Sequence, residues 1–179
     1  MDTITNDKFW MLIENAIQVS NNDEILKEKY IVEELEKLSL EEIKKFEFDF
    51  RRYIIQADDF KIIAAQKIIE DFVSDDSYLY FRSWLIGLGK NAFFEILKNP
   101  DYLVQFVEEK GVYHWDGLMY VTTEAYSNKT GKEEDETFPR DTAIDLGLDY
   151  DFGAPPTKGK DWTMDELPSM LPKLWAKLN

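Results

Sequence analysis

The chain has 179 residues, 44% of them hydrophobic and 15% aromatic, which suffices for a packed core and argues against global disorder. Its formal charge is −15, from 21 basic and 36 acidic residues; that field repels nucleic acid and anionic lipid, favours a basic partner, and also keeps a protein in solution. Cysteine is absent, so disulfides and zinc–thiolate sites are excluded. Residues 1–8 lack the basic and apolar blocks of a secretion signal, and no stretch reaches the length of a membrane span, so a soluble cytoplasmic protein is expected.

Thr5 or Asn6 is a good cap for a first helix, with Asp7 near its positive end, and Phe9, Leu12, Ile13, Ala16 and Ile17 then recur at helical spacing. After a break over residues 20–23, a second helix is expected from about Glu24. It partly buries Leu26, Tyr30, Leu35 and Leu38 and leaves Glu28, Lys29, Glu33, Glu34 and Lys37 solvated. Ser39 and Glu42 have the spacing of a capping box, and the third helix follows with its stripe on Ile43, Phe46, Phe50, Tyr53 or Ile54, and Ala57. Asp58 and Asp59 punctuate. Residues 60–72 read as a fourth helix with Ile62, Ala65, Ile69 and Phe72 on one face, and the pair Ala64 and Ala65 admits a close neighbour.

Residues 75–89 hold a dense aromatic and aliphatic block. Ser74, Asp75, Asp76 and Ser77 open it with cap chemistry; Tyr78, Tyr80, Phe81, Trp84, Leu85 and Leu88 cover a wide arc, with Leu79 and Ile86 opposite. One charge, Arg82, lies inside it. A helix apolar nearly all round is a buried helix, and Gly87 and Gly89 end this one. Short helices are expected over 91–98 and 101–109, separated by Asn99 and Pro100, and another over 118–129, stopped at Thr130 and Gly131. The run Glu133, Glu134, Asp135, Glu136 and the Asp-, Gly- and Pro-rich stretch 141–160 show no periodicity and read as irregular chain. A last helix starts near Asp165 or Pro172. No segment alternates with period two, so an all-α fold is expected: one domain over 1–179, with a helical body at 5–131, an acidic irregular segment at 132–161, and a C-terminal segment at 162–179 that packs back.

Three segments carry a resemblance: Asp75-Asp-Ser-Tyr-Leu-Tyr-Phe-Arg-Ser-Trp-Leu-Ile-Gly-Leu-Gly89, Asn99-Pro-Asp-Tyr-Leu103 and Ala125-Tyr-Ser-Asn-Lys-Thr-Gly131. Together with Phe9-Trp10 and Leu171-Pro-Lys-Leu-Trp175, the pattern resembles a bacterial domain-of-unknown-function family, number 4240, from about Phe9 to Trp175. The resemblance implies a stand-alone bacterial domain and brings no activity or catalytic residue with it.

Residue chemistry argues against several enzyme classes. The only histidine is His114, flanked by aromatics, and no Gly-x-Ser-x-Gly elbow presents a serine to it. Asp145, Asp149 and Asp151 lack the grammar of an EF-hand and read as a solvated acidic loop, so no metal or other cofactor is expected. Gly87 and Gly89 follow a helix, whereas phosphate loops follow a strand. Paired carboxylates such as Asp75 and Asp76 read first as helix caps.

Arg82 is the sharpest single residue, since a buried guanidinium cannot discharge and needs a partner, for which Asp75, Asp76, Asp59 and Asp71 are available. It either ties the fifth helix to a neighbouring turn or recognises an anion, with Tyr80 or Trp84 as the pocket wall. Among the five tryptophans, Trp115 and Trp162 lie in loop-like sequence and are expected at a contact surface. The candidate ligand- or partner-binding residues are therefore Arg82, Asp75, Asp76, Tyr80, Trp84, Trp115 and Trp162. The functional expectation is a non-enzymatic acidic interaction module, immunity- or adaptor-like, with a basic protein partner and neither nucleic acid nor membrane. The alternative is a small-molecule, anion-binding or enzymatic pocket centred on Arg82.

Overall fold

A computed structural model describes residues 3–21 and 23–179, and among these the fold is all-α. No strand occurs among the described residues; a single isolated bridge joins Asp59 and Lys158. No helix of the described residues is long and apolar enough to cross a membrane. The chain divides into two compact units, each assembled from separate stretches: the first from the chain up to Ile55 with Trp115–Pro155, the second from Gln56–His114 with Pro156–Asn179.

The first unit contains α1 (Thr3–Ser20), α2 (Glu24–Glu36), nearly all of α3 (Leu40–Gln56), α7 (Val121–Thr130) and α8 (Pro139–Asp145). α1 begins at Thr3, ahead of the cap expected at Thr5 or Asn6, whose side chains lie outside the described part. Phe9, Trp10, Ile13 and Ala16 form its buried stripe, and Phe9 packs on Phe46 and Tyr53 of α3 at ring-centre distances of 4.6 and 5.1 Å. The start of α3 is built as its sequence dictates. The Ser39 backbone N–H donates to the Glu42 carboxylate at 3.1 Å and the Glu42 N–H donates to Ser39 Oγ at 3.3 Å, so two orphan donors of the first turn are satisfied reciprocally.

The bonds from Ser39, with Lys8 Nζ at 3.1 Å, hold the Glu42 carboxyl down from its ordinary 4.5 to about 2. A depressed carboxylate stabilises the fold above its unfolded pKa, and that contribution disappears as pH falls through the folded value. Glu42→Gln is therefore expected to flatten the fall of the thermal midpoint between about pH 4.5 and pH 2, as read by circular dichroism melts. A parallel acid limb in the two chains would refute this.

α2 shows the first departure from expectation. Its buried residues are Lys27, Ile31, Val32 and Leu35, whereas Leu26 is exposed and Tyr30 only half-buried. Lys27 and Glu28 are turned toward Trp115: the Lys27 ammonium lies 4.5 Å from the indole ring centre, and Trp115 Nε1–H donates to Glu28 Oε1 at 2.9 Å. Lys27 thus takes a buried position while Leu26 beside it stays exposed, as a long aliphatic stem allows. Burial pushes the Lys27 pKa down against the pull of Glu24, Glu28 and Asp23, and burial also pushes Glu28 up.

α3 carries its expected stripe, with Ile43, Phe46, Phe50, Tyr53 and Ile54 buried. It also buries charge. Arg51 Nε–H donates to Glu47 Oε1 at 2.6 Å, Thr122 Oγ1–H of α7 donates to Glu47 Oε2 at 2.6 Å, and an Arg51 η-nitrogen donates to the Leu148 carbonyl at 3.1 Å. The Arg51 guanidinium lies 4.4 Å from the Tyr150 ring centre. The irregular segment expected over 132–161 therefore contains both a helix and a core contact. Its helix α8 starts at Pro139, whose fixed φ suits a first helical position, and Phe138, Ala143 and Tyr150 are buried.

The second unit contains α4 (Phe60–Glu70), α5 (Asp75–Gly87), α6 (Lys90–Lys98), α9 (Leu167–Met170) and α10 (Pro172–Leu178). α4 stops earlier than expected because Asp71 turns left-handed at φ 59°, and Phe72, expected on the buried face, is 64% exposed. Ala64 and Ala65 are both buried, and α4 packs on α5, α9 and α10. The helix expected over 101–109 is a shorter 3-10 segment, Pro100–Gln105. Asp101, within it, is buried and accepts the backbone N–H groups of Lys173 at 3.1 Å and Leu174 at 2.8 Å, so it satisfies donors at the start of α10 that have no partner within their own helix. Thr163 and Glu166 form another capping box just before α9.

Candidate functional site

α5 is entered through Ser74, whose Oγ accepts the Ser77 N–H at 3.2 Å while Ser77 Oγ accepts the Ser74 N–H at 2.8 Å. Asp75 and Asp76 occupy the first turn and are exposed, where carboxylates favour the positive end of a helix. The helix then buries Tyr78, Phe81, Arg82, Ser83, Leu85, Ile86 and Gly87. Gly89 follows at φ 91°, a conformation that favours glycine, and α6 begins at the next residue.

Arg82 is 6% exposed. Its guanidinium carbon lies 4.3 Å from the ring centre of Tyr78, one turn earlier, and its Nε–H points to the Tyr78 carbonyl at 3.4 Å. Tyr78 in turn fixes the turn before α4: its hydroxyl accepts the Asp59 N–H at 3.0 Å and lies 3.2 Å from the Ala57 carbonyl, to which it donates. Burial drives the Tyr78 phenol well above its ordinary pKa, with Arg82 opposing, so the hydroxyl keeps its proton. Tyr80 and Trp84 each stand two positions from Arg82, about 200° around the helix. An aromatic face on the guanidinium is that of Tyr78, at i−4, where helical neighbours meet.

The other face of α5 meets a different set of groups. Tyr80 stands edge-on to His114 at 5.8 Å, and Trp84 packs on Tyr113 at 5.0 Å. His114 Nε2 is 3.1 Å from Glu70 Oε2, and Glu70 also accepts the Gln66 amide at 2.8 Å and the Tyr113 backbone N–H at 3.0 Å. A carboxylate holding all three groups works as a latch that ties residues 113 and 114 to α4. Glu70 had no signal in the sequence beyond being the last charge before a helix stop.

The two loop tryptophans take different places. Trp115 is 1% exposed and belongs to the core of the first unit, which overturns its expected position at a contact surface. The cause is the Lys27 and Glu28 pairing already described, which gives the indole both a face and a hydrogen-bond acceptor. Trp162 is half-buried in the second unit, with Nε1–H donating to the Phe60 carbonyl at 2.7 Å.

Exposed apolar groups occur at several places along the chain, three of them between the end of α8 and residue 152. Ile144 and Leu146 are exposed, and Phe152 is fully exposed. The loop that presents Phe152 is ordered by its own carboxylate: Asp149 accepts the Asp151 N–H at 2.9 Å and the Gly153 N–H at 2.7 Å. Asp145 and Asp151 are exposed beside these groups. Among the described residues no group of three or more His, Cys, Asp or Glu side chains is placed to hold a metal ion.

No curated protein and no solved structure matches the chain. A family model does match, over residues 4–128, a span that runs from α1 almost to the end of α7 and takes in the Asp75 to Gly89 block. The chain thus belongs to the family described as Protein of unknown function (DUF4240).

Proposed function

We propose that the protein acts by binding another protein rather than by catalysis, as an acidic interaction module of the immunity or adaptor kind with a basic partner. The observation that carries this reading is Phe152, fully exposed on a loop braced by Asp149. A phenyl ring held in water on an ordered turn is the form an interface anchor takes. Ile144 and Leu146, a few residues earlier, are exposed as well, and the exposed Asp145 and Asp151, with Glu133, Glu134 and Glu136 earlier in the same segment, supply the charge that a basic partner would meet. This segment lies beyond residue 128, so the reading concerns this chain and not the family's matched span.

The Arg82-centred pocket is the weaker reading, because Arg82 is closed to 6% exposure and stacked on Tyr78. The test uses the wild-type chain, Phe152→Ala and Asp145→Asn/Asp151→Asn as baits on lysate of the native host at low and high salt. A partner recovered by the wild-type chain is expected to bind Phe152→Ala more weakly by at least about 2 kcal/mol, and to be released as salt rises. Failure to recover any specific partner sinks the proposal; so does a partner that ignores both the substitution and the salt.

A further inference from the structure

We propose that a cleft in the second unit binds a small organic anion, one that carries a carboxylate or phosphate monoester on an apolar body. The cleft is a cavity of about 390 Å³ whose lining includes Lys61 at the start of α4, Lys98 at the end of α6, and Lys158. That volume falls in the range of ligand pockets, about 300–1,000 Å³. Ile62, Leu97 and Pro100 give it apolar wall. Its lining residues include three lysines and one acidic residue, Asp59, in a chain whose net charge is −15.

The charges in the cleft are not spent on one another. Asp59 accepts the Lys61 backbone N–H at 2.8 Å as the cap of α4, so its carboxylate is already engaged. The Lys61 ammonium makes no hydrogen bond or ion pair among the described residues. Lys98 pairs with Glu95 at 2.7 Å, an exposed contact of the kind that is worth little and yields readily to a competing anion. Lys158 is held in place twice: its ammonium donates to the Gln56 carbonyl, and its backbone pairs with the Asp58–Phe60 turn through bonds of 3.3 and 2.9 Å. One ammonium N–H engaged leaves two for a ligand. Gly159 makes the close approach possible, since it sits at φ 85° and a Cβ there would lie 3.2 Å from Asp59 Oδ1.

The apolar wall and the lysine rim together select an amphiphilic anion over a bare one, and the long-range field of an acidic protein makes the local contacts carry the binding. This inference does not rest on the interaction reading, which concerns the other unit. The probe is phenyl phosphate, titrated into the full chain and followed by amide chemical shifts, with benzyl alcohol and inorganic phosphate as counterparts that each lack one half. Saturable shifts centred on residues 56–62, 97–100 and 158–159 are expected, with each counterpart at least about tenfold weaker. Lys61→Ala is expected to weaken phenyl phosphate about tenfold and Lys61→Arg to restore it, while Lys37→Ala, outside the cleft, changes nothing. Lys61 is exposed, so its loss leaves the melting curve in place and the binding readout interpretable. Equal binding of either counterpart, shifts centred elsewhere, or unaltered affinity in Lys61→Ala overturns the proposal.

Discussion

Arg51→Met is expected to lower the unfolding free energy by about 3–5 kcal/mol. Both side chains of the Glu47–Arg51 pair are 2% exposed, and without the guanidinium Glu47 keeps a single hydrogen bond, from Thr122, to offset a buried charge. The Leu148 carbonyl also loses its donor, and Tyr150 loses the cation on its face. Denaturant unfolding followed by near-ultraviolet circular dichroism measures the loss. Glu47→Leu/Arg51→Met removes both charges and is expected to recover most of it, because what destabilises the single variant is the orphaned carboxylate rather than a missing attraction. A single-variant loss below about 1 kcal/mol is the value of an exposed pair and would contradict the sealed geometry.

Trp115→Ala is the second large effect, also about 3–5 kcal/mol, the usual cost of emptying a buried aromatic site. The indole is enclosed by Lys27 and anchored on Glu28. Trp115→Phe separates the contributions: it keeps most of the volume and removes the hydrogen bond, for about 1–3 kcal/mol. Were Trp115 a contact residue, as its loop-like sequence suggested, both substitutions would leave the thermal midpoint unchanged, and that result would refute the core assignment.

Much of the fold was legible because local chemistry and tertiary packing agree there. The Ser39 and Glu42 capping box, the stripe of α3, the stop at Asn99 and Pro100, and the left-handed cap at Gly131 all stand where the sequence places them. The block around Arg82 was legible as a buried helix, though not the side on which Arg82 finds its ring. The failures are places where charged residues do apolar work. Lys27 and Arg51 drew no assignment from the sequence, since nothing local says that a tryptophan at 115 and a tyrosine at 150 will lie against them. Glu47 and Arg51 stand four apart with opposite charge, the spacing of an ordinary surface pair, so burial alone distinguishes them. α8 was hidden by the acidic and glycine-rich residues around it, although Pro139 was a usable start signal. Phe152 drew no assignment, because no periodicity in its polar stretch says whether a lone aromatic goes in or, as this one does, stays out.

The Asp101 carboxylate has a consequence for how the chain comes into being. Its acceptors wait for the N–H of Leu174, 73 residues later, which at ordinary translation speed means about 4–15 s after Asp101 has been made. Arg51 waits even longer in sequence for the Leu148 carbonyl, 97 residues on. Each unit therefore leaves one of its buried polar groups incompletely bonded until a much later stretch of chain emerges, at residue 148 for Arg51 and at residues 173 and 174 for Asp101. A nascent chain released before about residue 148 would present an Arg51 that has Glu47 but not the Leu148 carbonyl, and an Asp101 carboxylate without its α10 donors. Because each unit is assembled from two separate stretches that alternate along the chain, their completion is interleaved in time instead of following one after the other like beads on a string.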